Sequence, residues 1–332
     1  MNHPRQHMLT PLSAVTTSLV FLFSVVFSTS APGQGAHPLS PVPQELPYDA
    51  PDATIYIDFP FQRLKQLIPP LKGLAFESNP ETSHAQLPAI LAGVAKSIAD
   101  ALPKLPNLIS HEDIYHFQDA RGSGAAGQSN SQPWSREFKY LILCHHASDG
   151  SVSIEESRTD GKGHPVDLSG ADSSPRGLGF AYQWLLFSGA NQSEFRFRYL
   201  GQQTKDGRKT FVIAFAQIPD KVSTPAAFQS DGKSLPFFFQ GILWIDQSTF
   251  DIVLLRTDLL APVPRLHLRE LTTEVHFSPV PIHGFDATFW LPKEVDISSD
   301  QGRGPIEENH RYSDFHLFHT TATIITSPVT TP

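Results

Sequence analysis

The 332-residue chain is poor in sulfur and in charge, with one cysteine, two methionines and only 17% Asp, Glu, Lys and Arg together, against the roughly 25% usual for a soluble domain. A single thiol excludes an intrachain disulfide framework and a cysteine-based zinc site, since each needs at least two. Cationic residues are in deficit, 25 Lys+Arg against 33 Asp+Glu for a formal net charge of -8, so the basic footprint of a nucleic-acid binder is missing. Also missing are the Gly-x-Ser-x-Gly elbow and the Gly-x-x-x-x-Gly-Lys-Ser/Thr phosphate loop. What is abundant is proline (29) and phenylalanine (24), within a 40% hydrophobic composition that is enough to bury a core. The length admits one large β-rich domain or two ordinary ones.

The amino terminus has the three-part layout of a secretory signal over residues 1–31. A polar start carrying Arg5 leads into the apolar run Leu19–Phe27 and then into small residues ending at Ala31. The run is about half the roughly 20 residues that cross a bilayer, so an exported protein with no integral span after signal removal is expected, a retained anchor being the weaker reading. Pro32 disfavours a cut directly after Ala31, which leaves the cleavage site open. Residues 32–52 hold Pro32, Pro38, Pro41, Pro43, Pro47 and Pro51, a density that favours extended conformations and reads as a tether. Residues 320–332 form a Thr/Pro-rich tail with too little apolar content for a core. A single domain is expected over 53–319.

Within it the spacing predicts one long helix over 86–102, where Leu87, Ile90, Leu91, Val94, Ala95, Ile98 and Leu102 make one apolar stripe. Pro88 is placed near its first turn, Ser83 and Gln86 as a capping box, and Pro103 as its stop. A second helix is expected over 176–188. Elsewhere the period falls to two. Residues 194–199 alternate strictly, with Phe195, Phe197 and Tyr199 on a dry face and Glu194, Arg196 and Arg198 on a wet one. The run 211–218 is apolar on both sides and should lie under cover, after a Lys205-Asp-Gly-Arg208 hairpin turn. Strands 241–246 and 252–256 flank the polar link 247–251, and further strands fit 138–145, 152–158, 271–277, 287–295 and 312–318. Gly/Ser-rich loops are read at 119–133 and 161–175. The fold class is therefore mainly β (α+β): a curved antiparallel sheet or half-barrel covered by one long and one or two short helices, with a β-sandwich as the competing arrangement.

The chain has 15 histidines, yet none of their clusters has the spacing of a metal site. His111 and His116 are five apart, about 140° out of phase on a helix, and their segment reads as strand. His145 and His146 are strand neighbours that point to opposite faces. His310 and His316 share parity, but His310, His316 and His319 would need ligands from elsewhere. Cys144 shares parity with Phe138, Tyr140 and Ile142 and reads as a buried, inert thiol. Glu155 and Glu156 point apart and read as solvated charges rather than an acid/base pair. Asn191-Gln-Ser193 is a glycosylation sequon. No catalytic residue, metal or cofactor is assigned.

The segments Pro60-Phe-Gln-Arg-Leu64, Leu87-Pro-Ala-Ile-Leu91, Tyr140-Leu-Ile-Leu143, Glu155-Glu-Ser-Arg158, Tyr199-Leu-Gly201, Gly207-Arg208, Gly241-Ile-Leu-Trp-Ile-Asp246, Trp290-Leu-Pro292 and Tyr312-Ser-Asp-Phe315 resemble a group of uncharacterised exported proteins of acidobacterial type. Their layout looks like the superfamily of periplasmic lipoprotein carriers and outer-membrane lipoprotein-sorting proteins. The resemblance implies a hydrophobic cavity between sheet and helix, lined by candidates Leu91, Val94 and Ile98 on the helix and Phe195, Phe197, Phe211, Ile213, Phe215 and Leu243 on strands. It further implies a non-enzymatic carrier of a lipid or lipid-like ligand, periplasmic or extracellular. The alternatives are an envelope protein-interaction module with a solid core and, third, a hydrolase assembled only by the fold.

Overall fold

The computed structural model describes residues 26–27, 51–118, 133–148, 152–166, 179–223, 225–230, 233–283, 285, 288–300, 302 and 304–318. The signal region apart from 26–27, nearly all of the tether, the tail, the loop 119–132 and most of the second Gly/Ser-rich loop lie outside the described residues.

Three α-helices precede the main run of strands: α1 (Ile55–Asp58), α2 (Phe61–Leu67) and α3 (Pro80–Ala101). In chain order the strands are β1 (Val26–Phe27), β2 (Ala75–Phe76), β3 (Leu108–Gln118), β4 (Trp134–His146), β5 (Val152–Thr159), β6 (Phe195–Lys205), β7 (Arg208–Gln217), β8 (Ala226–Ser230), β9 (Lys233–Phe237), β10 (Phe239–Asp246), β11 (Ile252–Leu259), β12 (Glu270–Pro281), β13 (Thr288–Asp300) and β14 (Pro305–Leu317). Twelve of them form one open antiparallel sheet in the order β1-β5-β4-β3-β14-β13-β12-β11-β10-β7-β6-β2, and β8 and β9 form a separate hairpin. Two meanders, β3 to β5 and β6 to β14, are thus joined where β3 pairs with β14. The mainly β fold with a covering helix is the one the sequence pattern leads to.

The turn chemistry accounts for the tight links. Asp206 and Gly207 both have positive φ (49° and 77°), the two-residue turn whose twist matches an antiparallel pair, and it sets Lys205 opposite Arg208. Gly201 sits at a bulge in β6 with φ 138°, where a Cβ would lie 2.0 Å from the Ala75 carbonyl oxygen. Only glycine lets β2 approach there.

Helix α3 begins earlier than the periodicity predicts. Asn79, not Ser83, is its cap, with Oδ1 accepting from the Glu81 N–H at 3.0 Å, and Pro80 occupies the first turn. Pro88 therefore lies inside the helix rather than near its start. The stripe Ile90, Val94 and Ile98 is buried against the sheet; the helix is long and apolar enough to pass a length-and-composition test for a membrane span, but this stripe is core. The expected second helix is replaced by a single 3-10 turn, Gln183–Phe187, in which Gln183, Trp184, Leu185 and Phe187 are all buried. A segment enclosed on every side has no polar face for an amphipathic helix to present.

The opposite face of β6, β7, β10 and β11 is covered as well. Tyr56, Leu64, Ile68, Leu71 and Leu74 pack there against Leu200, Val212, Ala214, Ile242, Trp244 and Leu254. This explains why 211–218 is apolar on both sides. The expected wet face of β6 holds at Arg196, which is exposed and pairs with Asp58 at 2.6 Å, whereas Arg198 is half-buried and donates to the carbonyls of Ile57 and Phe59. Both arginines tie α1 and the turn after it to the sheet.

Candidate ligand-binding face

The nine residues implied as cavity lining all fall on the side of the sheet that α3 covers. Val94, Ile98, Phe195, Ile213, Phe215 and Leu243 are buried in the same apolar cluster, with Leu91, Phe197 and Phe211 partly buried against it. Register produces the convergence: Phe197 pairs with Phe215 across β6 and β7, and Ile213 with Leu243 across β7 and β10. Gly241, the partner of Phe215 on β10, leaves the Phe215 ring its place, since a Cβ there would lie 2.9 Å from Cζ.

The middle of this space is occupied. The Phe187 ring centroid lies 5.3 Å from that of Phe195, 6.5 Å from Phe197 and 4.9 Å from Phe215, spacings of mutually packed aromatic rings. Each end of α3 opens into a cleft. One, of about 290 Å³, is walled by Val94, Ile98, Trp184, Phe250, Phe289 and Trp290 and rimmed by Ser97, Asp100 and Lys104. The other, of about 310 Å³, lies between Ser83 and Leu87 of the helix and Phe61, Phe197, Arg198 and Tyr199. Both are near the lower end of the size range of small-molecule pockets. Sequence reasoning missed the walls supplied by Trp184, Phe250, Phe289 and Trp290 and the packing of Phe187 between the clefts, residues that sit outside the strictly alternating runs.

A latch closes the first cleft along one side. The tip of the β10–β11 hairpin carries Phe250 at φ 61°, a conformation that a bulky side chain rarely adopts. Its ring lies over Gly93 of α3, where a Cβ would come within 2.4 Å of it. Ser97 Oγ donates to Asp251 Oδ1 at 2.6 Å beside this contact.

Farther along the same face, where β5, β4, β3 and β14 adjoin, the core turns ionic. Arg158 donates from Nε and Nη2 to the two carboxylate oxygens of Glu112, at 2.5 and 2.7 Å, and neither side chain reaches solvent. His310 lies between two carboxylates, Nδ1 at 3.0 Å from Glu112 and Nε2 at 3.4 Å from Glu308. Tyr312 donates to Glu112 at 2.7 Å, and His116 Nδ1 is 2.9 Å from Glu308. Burial alone would raise the Glu112 carboxyl, but Arg158 and His310 hold it down at about 2. Burial would lower His310, and its two carboxylate partners raise it instead. Glu156 is dominated by burial, which pushes it up to about 7 even though Tyr140, the Gly179 N–H and Arg158 favour its ionised form.

The expectation that Glu155 and Glu156 point apart holds, but only Glu155 is exposed. Glu156 accepts from Tyr140 Oη and from the Gly179 N–H. His310 and His316 do not share a face as parity suggested: a bulge between Ser313 and His316 leaves His310 buried and His316 exposed. Alternation does separate His111 and Asp113 on the outer face of β3 from Glu112, Ile114 and His116 on the inner. With Glu137, His111 and Asp113 place ligand-type atoms within 4.8 Å of one another at the surface; Lys139 stands opposite His111 on β4 and Arg311 opposite Asp113 on β14. Cys144 is buried, and burial pushes its thiol up to about 12, too high for a thiolate at neutral pH.

No family model and no curated protein matches the chain. Among solved structures it is similar to a DUF1329 family protein from Desulfovibrio piger, at 12% identity and a TM-score of 0.37 over 70% of this chain and 95% of that one. It is similar to a putative outer membrane lipoprotein-sorting protein domain from Vibrio parahaemolyticus, at 11% identity and a TM-score of 0.35 over 72% and 93%. A LolA superfamily protein from Nitrosomonas europaea aligns at 13% identity and a TM-score of 0.31 over 70% and 97%. The lipoprotein-sorting and LolA names are those of the superfamily whose layout the sequence segments resemble.

Proposed function

We infer that this is a non-enzymatic binding or carrier protein for an apolar, lipid-like ligand, exported to the periplasm or cell exterior. The observation that carries this reading is the convergence of nine apolar side chains from α3, β6, β7 and β10 on one helix-covered face, with a cleft opening at each end of the helix. Burying each methylene of a ligand there contributes about 0.8 kcal/mol, so affinity needs no polar motif. The polar rim of the first cleft suits the head of an amphiphile. Ser97 in that cleft donates to a carboxylate rather than to an imidazole, which is not the arrangement of an activated nucleophile.

Native mass spectrometry of the exported protein, with organic extraction of what copurifies, tests the reading. A stoichiometric lipid supports it. A bare polypeptide mass that persists after incubation with envelope lipids overturns it and favours the second reading, a protein-interaction module with a solid core, for which the packing of Phe187 into the groove speaks.

A further inference from the structure

Resting on that reading, we propose that the segment Gln183–Phe187 is a resident plug in the ligand groove, and that an amphiphile with a single acyl chain binds by displacing it, merging the two clefts into one channel beneath α3. The placement of two side chains carries the argument. Trp184 is a wall of the first cleft, and Phe187 packs on Phe197, a wall of the second. The residues from Trp184 to Phe187 are therefore what divides the two spaces.

The plug is also the least fully compensated part of the covering layer. It is a lone 3-10 turn, a geometry with poorer hydrogen bonds than an α-helix. Gln183 at its start is 5% exposed, and its Oε1 is buried without a partner among the described residues, as is Oγ of Ser188 just past its end. Buried polar atoms left unpaired oppose docking, and both regain water when the segment lifts. Among the described residues its side-chain hydrogen bonds are these: Trp184 Nε1 donates to the Trp290 carbonyl at 3.2 Å, and Gln192 Nε2 donates to the Leu91 and Phe187 carbonyls at 2.9 and 3.2 Å. A ligand chain that replaces the aromatic contacts of Phe187 with its own methylenes thus exchanges apolar burial for apolar burial and releases two polar atoms.

A reversible lock tests this. A Cβ built on Gly189 lies 3.5 Å from the Ala95 Cβ on α3, within the range of about 3.5–4.5 Å that a disulfide spans, and Cys144 is buried away from solvent. The full chain with Gly189→Cys and Ala95→Cys is titrated with dansyl-labelled undecanoic acid, oxidised and then reduced. Oxidation should weaken probe binding by about tenfold or more, as expected when the binding-competent state is removed from the ensemble, and reduction should restore it. Phe187→Ala, which shortens the plug without a lock, should bind the probe more tightly than the parent. Equal affinity in the oxidised and reduced forms, with thermal unfolding showing both folded, overturns the plug while leaving the apolar-ligand reading intact. Absence of probe binding in the parent, in both redox forms and in Phe187→Ala overturns that reading and the plug with it.

Discussion

Replacing Glu156 by glutamine should stabilise the protein most at pH 8 and by about half as much at pH 5.5. The carboxyl titrates at about 7 in the fold because burial outweighs its hydrogen bonds, against roughly 4.3 in an unfolded chain. The folded state therefore binds this proton more tightly, and stability increases as pH falls from above 7 toward the unfolded value. Above pH 7 the burden is fully present: the gap between about 7 and roughly 4.3, at 1.36 kcal/mol per pH unit, is about 3.5 kcal/mol, or roughly 5 °C in Tm for a chain of this size. Glutamine keeps an acceptor for Tyr140 and the Gly179 N–H and removes the charge. His310 changes stability in the same direction. Its raised value means that its contribution is present below about pH 6.5 and is lost as pH climbs through its folded value. The variant should thus keep a shallow residual slope. The assay is thermal or urea unfolding from pH 5.5 to 8.5. A variant whose slope equals the parent's, or which is less stable than the parent at pH 8, would refute the assignment of the slope to Glu156.

Three other substitutions probe separate parts of the argument. Arg158→Ala strands the Glu112 carboxylate in the core and should cost about 3–5 kcal/mol at pH 7 in chemical unfolding, whereas Arg158→Ala combined with Glu112→Gln should recover part of that loss. Gly93→Ala drives a methyl into the Phe250 ring and should cost about 1–3 kcal/mol; a variant as stable as the parent would show that the hairpin tip is not held against α3. Phe197→Asp places a charge where both the groove and the second cleft are lined and should abolish uptake of dansyl-labelled undecanoic acid by the folded protein, so unchanged uptake counts against the proposed function.

The architecture was legible wherever one period ran unbroken. The β6–β7 and β10–β11 hairpins, the buried character of 211–218 and the stripe on α3 all follow from spacing, because alternation and the 3.6-residue repeat are local. What depended on a distant partner was not. Arg198 reads as solvent-facing because nothing in its own strand announces that the carbonyls of Ile57 and Phe59 accept from it. Glu112, Arg158 and His310 each lie on the inner parity of their strands, but their neutralisation needs β3 to lie between β4 and β14, and adjacency of the first long strand to the last leaves no trace in sequence order. Trp184 and Phe187 were assigned to a helix because apolar residues three and four apart also occur in a segment buried all round. The nine candidate residues fall on one face because parity and the helical stripe are local, whereas no such local signal places Trp184 and Phe187 beneath α3.

The pairing of β3 with β14 has a consequence for how the chain can fold. Glu112 and Tyr312, which hydrogen-bond across that seam, are 200 residues apart, and closing so long a loop is slow because the entropy of closure is spent before the contact rewards it. A chain emerging from its N-terminal end would have β3 formed against β4 with its other edge bare, and Glu112 without His310 and Tyr312, until Pro305–Leu317 arrives. The β3–β14 seam is thus the part of the sheet that the order of synthesis completes last, and its closure gates the pairing of Glu112 with His310 and Tyr312.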